Sequence, residues 1–372
     1  MAQSAQLVNG HTTALQAIGR RSEYGNPNAN ISPCGVVLLL FAIAAFVAQS
    51  EAVSVVQGPQ SFNKPWFILY VAHGCYAIIL PLQYMYCRIV YHDTPQDYFG
   101  RITRVAEDLP GNNGQGIYLM LIRRTLCLNA LFTAGAYSWY LSVSRIALGE
   151  LTAIYNSSCF FTYLLSVLLL NERIRRARLC AVFVCVAGIV AISWADPNEE
   201  SSENPFSRAV GYMFAVSSSF WVAGYEVFYK KFLVPFRPSM LLSLHITSLI
   251  GLTTLLFGIP PIFLFHYTGW ESFEIPDLRS FAVIAIVAAL GLVFNATFML
   301  AIAFCGPLMA AIGIMLTIPI MSSLDFFLAG VDFGWNTVIG SLAIFAGYGL
   351  LLMPSPDGET CCEEEQRPLV EK

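Results

Sequence analysis

Apolar runs about as long as a bilayer is thick recur along this chain, and they decide its fold class before any motif is considered. A helix rises about 1.5 Å per residue, so roughly 20 apolar residues cross the ~30 Å hydrocarbon layer. Six stretches meet that requirement at once. Apolar side chains make up 56% of the 372 residues and charged ones 12%, about half the charged share of soluble domains. The chain therefore reads as an all-α, multi-pass integral membrane protein whose first partner is the lipid bilayer. Residues 1–33 are polar and broken by Pro27, Pro33 and several Asn. They lack the charged-then-apolar pattern that ends in a cleavage site, so the expectation is a disordered cytosolic tail, with the first span inserting the protein.

Reading apolar runs between charged or Pro/Gly breaks gives ten transmembrane helices, at 34–56, 65–86, 126–143, 147–170, 179–194, 210–228, 240–264, 280–303, 307–329 and 335–353. Lys and Arg test the count, because they collect in the loops of one side. Sixteen of the 20 fall in the two tails and in the loops after spans two, four and six. The opposite loops carry only Lys64, Arg145, Arg208 and Arg279. An even number of spans with both termini cytosolic follows, and a miscount by one helix would scramble the segregation.

The two sets of five are separated by a polar linker at 196–208. Gly149-Glu150-Leu151-Thr152-Ala153 opens span four as Gly306-Pro307-Leu308-Met309-Ala310 opens span nine. Ser166 and Ser323 follow at the same offset, and Ala187-Gly188 is answered by Ala346-Gly347. Each half, 34–195 and 209–354, is thus expected to be a five-helix repeat. Five is odd, so the second repeat enters the membrane inverted, the logic of alternating-access carriers that hold a small-molecule solute near the midplane. Small residues shared by two apolar helices also arise from packing alone.

Other classes find little support. The ten Cys lack ligand-like spacing, which argues against a disulfide framework and a metal site. A net charge of -4 gives no sign of a nucleic-acid partner. HExxH, GxSxG and GxxxxGK[ST] are absent from the sequence, so neither a membrane enzyme nor an ATP-driven pump is expected, and no cofactor is implied.

The residues that carry a family resemblance are Gln49-Ser50-Glu51, Phe62-Asn63-Lys64-Pro65-Trp66-Phe67, Gly149 to Glu172, and Gly211 to Lys231 ending in Tyr229-Lys230-Lys231. To these are added Phe294-Asn295, Gly306-Pro307-Leu308 and Leu316-Thr317-Ile318-Pro319-Ile320 with Asp325. In this order the chain resembles the drug/metabolite transporter superfamily, and within it the F-type members of solute carrier family 35 and their fungal thiamine-transporter-like relatives. The resemblance covers most of the membrane part and neither tail. It implies a carrier of two inverted five-helix repeats and leaves the solute open among vitamins, nucleotide sugars and other metabolites. Span nine lacks a counterpart of Glu172, so the two repeat ends need not do the same job.

An ionisable side chain at membrane depth costs at least ~2.5 kcal/mol by insertion scales, which makes each one a functional candidate. Asp325, inside span nine, is the first choice for solute or proton binding; the alternative is a hydrogen bond to Ser322 or Ser323 that pins helices together. Glu226 reads two ways. With Trp221 and Tyr225 one turn apart on the same helix face, it can hold a cation and stack a flat ring; alternatively it pairs with Lys230, four residues on. Asn156 and Asn295 both donate and accept hydrogen bonds and can orient a heteroaromatic ring. Glu150 is expected to pair with Arg145 at a helix start. Glu51 belongs either to an outer vestibule or to solvent. Glu172 with the Arg173 to Arg178 cluster closes a cytosolic hairpin, unless an anionic solute makes that cluster a funnel. His73 and His245 read as interhelical hydrogen-bonding residues, with proton relay as the alternative. Pro81, Pro307 and Pro319 are expected to break or kink helices.

In the tail 355–372, Cys361-Cys362 offers a palmitoylation site, and Glu363 to Val370 resembles an acidic dileucine signal read by sorting adaptors. That points to an endomembrane, the vacuole first, with Golgi or plasma membrane as alternatives. The reading that results is a secondary carrier of a cationic or neutral aromatic solute such as thiamine. Nucleotide-sugar exchange is the runner-up, and it would need Lys or Arg at mid-span, where the sequence has none. A non-transporting sensor or scaffold is the reading from another class.

Overall fold

The computed structural model describes residues 33–57, 62–111, 116–146, 148–170, 176–193, 205–318, 320 and 335–352. Asp325, Ser322, Ser323, Pro319, Glu172 and both tails lie outside them. Among the described residues all regular structure is helical.

Helix α1 (Pro33–Val56) is the first span. The second is α2 (Pro65–Gly74), a 3-10 turn (Cys75–Ile78) and α3 (Ile79–Tyr91) in line. Pro81 explains that turn. It has no N–H to donate, and its ring crowds the carbonyl four residues back, at Ala77, so the helix tightens there.

Where the sequence reading leaves a loop between spans two and three, the chain forms helix α4 (Pro95–Glu107). Thr94 Oγ1 accepts from the Asp97 N–H while Asp97 Oδ2 accepts from the Thr94 N–H, a capping box that starts the helix beside Pro95. Tyr98, Ile102 and Ala106 form its buried stripe.

Helix α5 (Ile117–Val143) begins well before the expected span, with Arg123 and Arg124 inside it. The Arg124 guanidinium reaches the carbonyls of Phe232 (2.8 Å) and Pro110 (2.7 Å), so the charge leaves the apolar zone while its stem stays in the helix. Span four is divided into α6 (Leu148–Asn156) and α7 (Ser158–Leu170), with Ser157 Oγ donating to the Ile154 carbonyl at the break. Helix α8 (Arg176–Ser193) follows. Helix α9 (Pro205–Leu233) starts inside the expected linker. Span seven is likewise two pieces, α10 (Met240–Phe257) and α11 (Ile259–Thr268), hinged at Gly258 ahead of Pro260 and Pro261. Next come α12 (Leu278–Cys305), α13 (Pro307–Ile314) and α14 (Trp335–Leu352). Gly306, between α12 and α13, has φ +89, a conformation open to glycine, and Pro307 then opens the new helix.

Five of these spans are long and apolar enough to cross a membrane by length and composition: Cys34–Val56, Pro65–Tyr91, Ile117–Val143, Met240–Phe257 and Leu278–Cys305. Their surroundings fit lipid. Ile89, Phe263 and Met213 are 70%, 69% and 73% exposed, while Ser142, Thr162, Thr247 and Asn295 are buried. Water would favour the reverse distribution. The protein is a multi-pass membrane protein.

Three helix pairs dominate the packing: α1 with α12, α5 with α9, and α8 with α14. Short polar side chains knit them. Ser142 Oγ donates to the Gly211 carbonyl (2.9 Å), and Ser218 Oγ to that of Gly135 (2.8 Å), both between α5 and α9. Asn129 on α5 donates to Thr253 Oγ1 and accepts from Thr254 Oγ1 on α10. Each such bond replaces a polar group otherwise stranded in hydrocarbon. Helix α10 crosses the 3-10 turn at Gly251, where a Cβ would overlap the Ala77 nitrogen and stand 2.6 Å from the Tyr76 carbonyl carbon.

Candidate functional site

Helices α1, α2, α5, α6, α9 and α12 enclose a group of aromatic rings. Phe46 of α1 lies 5.1 Å from Phe294 of α12 and 5.7 Å, nearly parallel, from Tyr155 of α6, with Trp139 of α5 at 6.5 Å. A second stack runs from Tyr225 of α9 to Phe132 of α5 (4.9 Å) and from Phe132 to His73 of α2 (4.3 Å, 16° between planes). Aromatic faces carry negative quadrupole density, so such walls suit a flat or cationic guest.

The polar groups among these rings come from both halves of the chain. Asn295 Nδ2 donates to the Tyr225 hydroxyl at 3.3 Å, joining α12 to α9. Glu226, 1% exposed, accepts from Thr162 Oγ1 of α7 at 2.8 Å. Among the described residues it makes no ion pair. Lys230 donates to the Ala303 carbonyl at 3.0 Å, so the i, i+4 pair considered for Glu226 is not formed. Ser219, two turns before Glu226, donates to the Ile154 carbonyl (2.8 Å) and sets this face of α9 against α6. Among the described residues eleven buried side-chain atoms have no hydrogen-bond partner, and Trp139 Nε1, His73 Nδ1, Asn156 Oδ1 and Asn295 Oδ1 are four of them. Buried polar atoms are paired in the great majority of cases, so these donors and acceptors have capacity to spare for a polar molecule.

Of the residues singled out in the sequence, Tyr225, Glu226 and Asn295 come together here. Asn156 is buried at the break between α6 and α7, its Nδ2 bonded to the Thr152 carbonyl of its own helix. Trp221 is half-buried and packs its ring on Phe220. Arg145 bonds the Leu141 carbonyl and lies over the Phe214 ring. Glu51 is exposed. Phe46, Phe132, Trp139, Tyr155 and Thr162 join Tyr225, Glu226 and Asn295 here without any distinguishing signal in the sequence.

The two ends of the bundle are closed differently. At one end Glu271 accepts from the N–H groups of Trp66 (2.9 Å) and Phe67 (3.0 Å), the free amides of the first turn of α2. Lys64 bonds Ser272 (2.5 Å) and Glu274 (3.2 Å), and Trp66 Nε1 donates to the Gly258 carbonyl. Burial pushes the Glu271 carboxyl above its usual range, opposed by those amides and by Lys64. Hydrogen bonds from Ser272 and Lys64 hold Glu274 below its range.

At the arginine-rich end the buried His245 of α10 lies between two hydroxyls, Tyr98 of α4 at Nδ1 (3.1 Å) and Tyr118 of α5 at Nε2 (3.2 Å). Tyr98 donates to Gln83 Oε1 (2.9 Å), and Gln83 Nε2 donates to the Leu241 carbonyl (2.7 Å). Four elements are thereby tied at one histidine, the interhelical role expected of it. Asp93, 6% exposed, pairs with Arg101 at 2.8 Å and anchors the start of α4.

Known proteins similar to this chain include membrane transporters. The chain is 25% identical to an uncharacterized transporter of Schizosaccharomyces pombe over 90% of its own length and 96% of that protein's. It is 24% identical to solute carrier family 35 member F3 of Homo sapiens, over 86% of this chain and 73% of the relative. Member F4 of Homo sapiens is also 24% identical, over 86% and 59%. No family model matches the chain. A solved crystal structure superposes with a TM-score of 0.55 at 12% identity, over 90% of this chain and 99% of the other; that likeness concerns the fold. These distant relatives are named as transporters or solute carriers.

Proposed function

We propose that this protein is a secondary carrier which moves a small cationic or neutral aromatic solute, thiamine being the first candidate, by alternating access between two inverted five-helix repeats. The packing supports the repeat. Helix α1 lies on α12 as α9 lies on α5, so in each case the first span of one half meets the third span of the other. The α8–α14 pair joins the last spans of the two halves, and α10 meets α2 and α3 as second span to second span. That is the exchange a pseudo-two-fold axis in the membrane plane produces.

The single observation that carries the solute class is the buried Glu226 carboxyl, without an ion-pair partner among the described residues, beside aromatic walls and the leftover polar atoms of Asn295, Asn156 and Trp139. A cation is attracted by the carboxylate and by the ring faces; ring nitrogens and amino groups answer the orphan atoms. Nucleotide-sugar exchange would need a cationic side chain among these rings. Asp325, outside the described residues, is proposed as the second acidic group of the path. In this reading both termini face the cytosol from an endomembrane, the vacuole first, with sorting adaptors reading the acidic tail.

Uptake of labelled thiamine and labelled nucleotide sugars into vesicles holding the full chain tests the reading. Saturable thiamine uptake that unlabelled thiamine suppresses supports it. Saturable uptake of a nucleotide sugar without thiamine uptake sinks it.

A further inference from the structure

The carboxyl of Glu226 poses a charge problem whose solution says how transport is driven. Among the described residues, the following groups surround it. Helix α6 presents the Tyr155 ring, α7 presents Thr162 and Cys159, and its own helix places Tyr225 and Tyr229 on either side. All of these are neutral groups. The nearest cation on its own helix, Lys230, is turned to the Ala303 carbonyl. Helix α13 has no ionisable residue; of the other helices packed on α9, α5 has the cations Arg123 and Arg124, the latter bonded to the Phe232 and Pro110 carbonyls, and α12 has Arg279 in its first turn. Thr162 supplies one hydrogen bond to Oε2, whereas a buried carboxylate is tolerated when it is paired with a cation or held by several donors.

We propose, building on the carrier reading above, that Glu226 is a proton site and that a proton and the cationic solute occupy it alternately. With no solute bound and the bundle closed, Glu226 keeps its proton. When a mouth opens and a cation enters among the rings, the proton leaves an Oε atom for water at that mouth, and the carboxylate pairs with the cation. Glu226 and its occupant are together neutral in both forms, so either can cross the low-dielectric middle of the bilayer. A bare carboxylate cannot cross, and neither can a cation on a protonated acid. One proton therefore moves against each monovalent cation, which makes the carrier an electroneutral antiporter. The Thr162 hydroxyl donates to Oε2 in either form and positions the carboxyl.

Two measurements on the full chain, as wild type, Glu226→Gln and Glu226→Asp, test this. The first needs no solute. Infrared difference spectra at neutral pH between wild type and Glu226→Gln are expected to show a carboxylic-acid carbonyl band in the wild type, moved but retained in Glu226→Asp. Carboxylate bands in its place overturn the proposal, whatever the carrier transports. The second measures labelled thiamine in vesicles under an imposed pH gradient. One pH unit, acid inside, is expected to concentrate thiamine about tenfold in the wild type, the accumulation set by one-for-one exchange, and not at all with Glu226→Gln. Saturable wild-type thiamine flux that ignores the gradient overturns the proton site and leaves the carrier standing. An acid band without any thiamine flux overturns the solute and keeps the proton site.

Discussion

His245 illustrates how a single side chain can be fixed by its neighbours down to the position of one hydrogen. Gln83 must turn its NH2 toward the Leu241 carbonyl, which leaves Oε1 to accept from Tyr98. With its hydrogen spent there, the Tyr98 oxygen can only accept from the ring, so the proton of neutral His245 sits on Nδ1 and Tyr118 donates to Nε2. Nitrogen spectra of histidine-labelled protein are expected to report the Nδ1–H tautomer, and an Nε2–H tautomer would contradict the chain of donors. Tyr225 is a second case. Its hydroxyl receives Asn295 Nδ2 in a fully buried place, so Tyr225→Phe strands that amide and should destabilise the protein by roughly 1–3 kcal/mol. Thermal unfolding in detergent measures this. A change within error would mean that Asn295 finds another acceptor.

Among the elements, α4 is the one whose ends and faces are written most locally. Hydrogen bonds from the Thr94 side chain and backbone hold the Asp97 carboxyl below the usual aspartate range. A folded pKa below the unfolded one means that the stability from the cap is present above the ordinary aspartate pKa and lost as pH falls through the lowered folded value. The protection of the first-turn amides of α4, taken relative to their intrinsic exchange rates, should therefore fall on acidification through that window. In Asp97→Asn this pH step should be missing. The crossing of α10 over the 3-10 turn is set instead by a distant contact. Gly251→Ala drives a methyl into the backbone at Tyr76 and Ala77, neither of which can rotate away, and should cost roughly 1–3 kcal/mol by overpacking. Retained thermal stability in that variant would show that the two elements separate freely.

These examples also show what the sequence could and could not reveal. Long apolar runs announce membrane helices because thickness alone sets their length. Helix α4 is polar on one face and escaped that criterion, although Thr94-Pro95-Gln96-Asp97 and the four-residue spacing of Tyr98, Ile102 and Ala106 record it plainly. Glu226, Tyr225 and Asn295 were legible because polar groups inside apolar runs are costly and few. Phe46, Phe132, Trp139 and Tyr155 were not, since in a chain with 13% aromatic residues a ring has no distinguishing neighbour in sequence. The partner of Glu226, Thr162, lies 64 positions away, and no local pattern joins them.

At the scale of the whole molecule, alternating access requires that one end can open while the other is shut. In this conformation the Glu271 end is shut by contacts between the start of α2 and the segment after α11. Lys64 reaches Ser272 at 2.5 Å and Glu274 at 3.2 Å, and Glu271 holds the amides of Trp66 and Phe67. Most of these bonds lie at the rim, where each exposed pair contributes little, so the closure is cheap enough to be broken in every cycle. A link that cannot break should then stop transport. With Lys64→Cys and Ser272→Cys in one chain, a short bifunctional thiol reagent is expected to join the two residues and reduce uptake to that of empty vesicles. Each single variant treated with the same reagent controls for the native cysteines and should keep its flux. A reducible linker adds the decisive comparison, because cleavage should restore transport to the level before treatment. If the joined protein carries solute at the untreated rate, this end does not open, and the closure seen here is a permanent part of the wall.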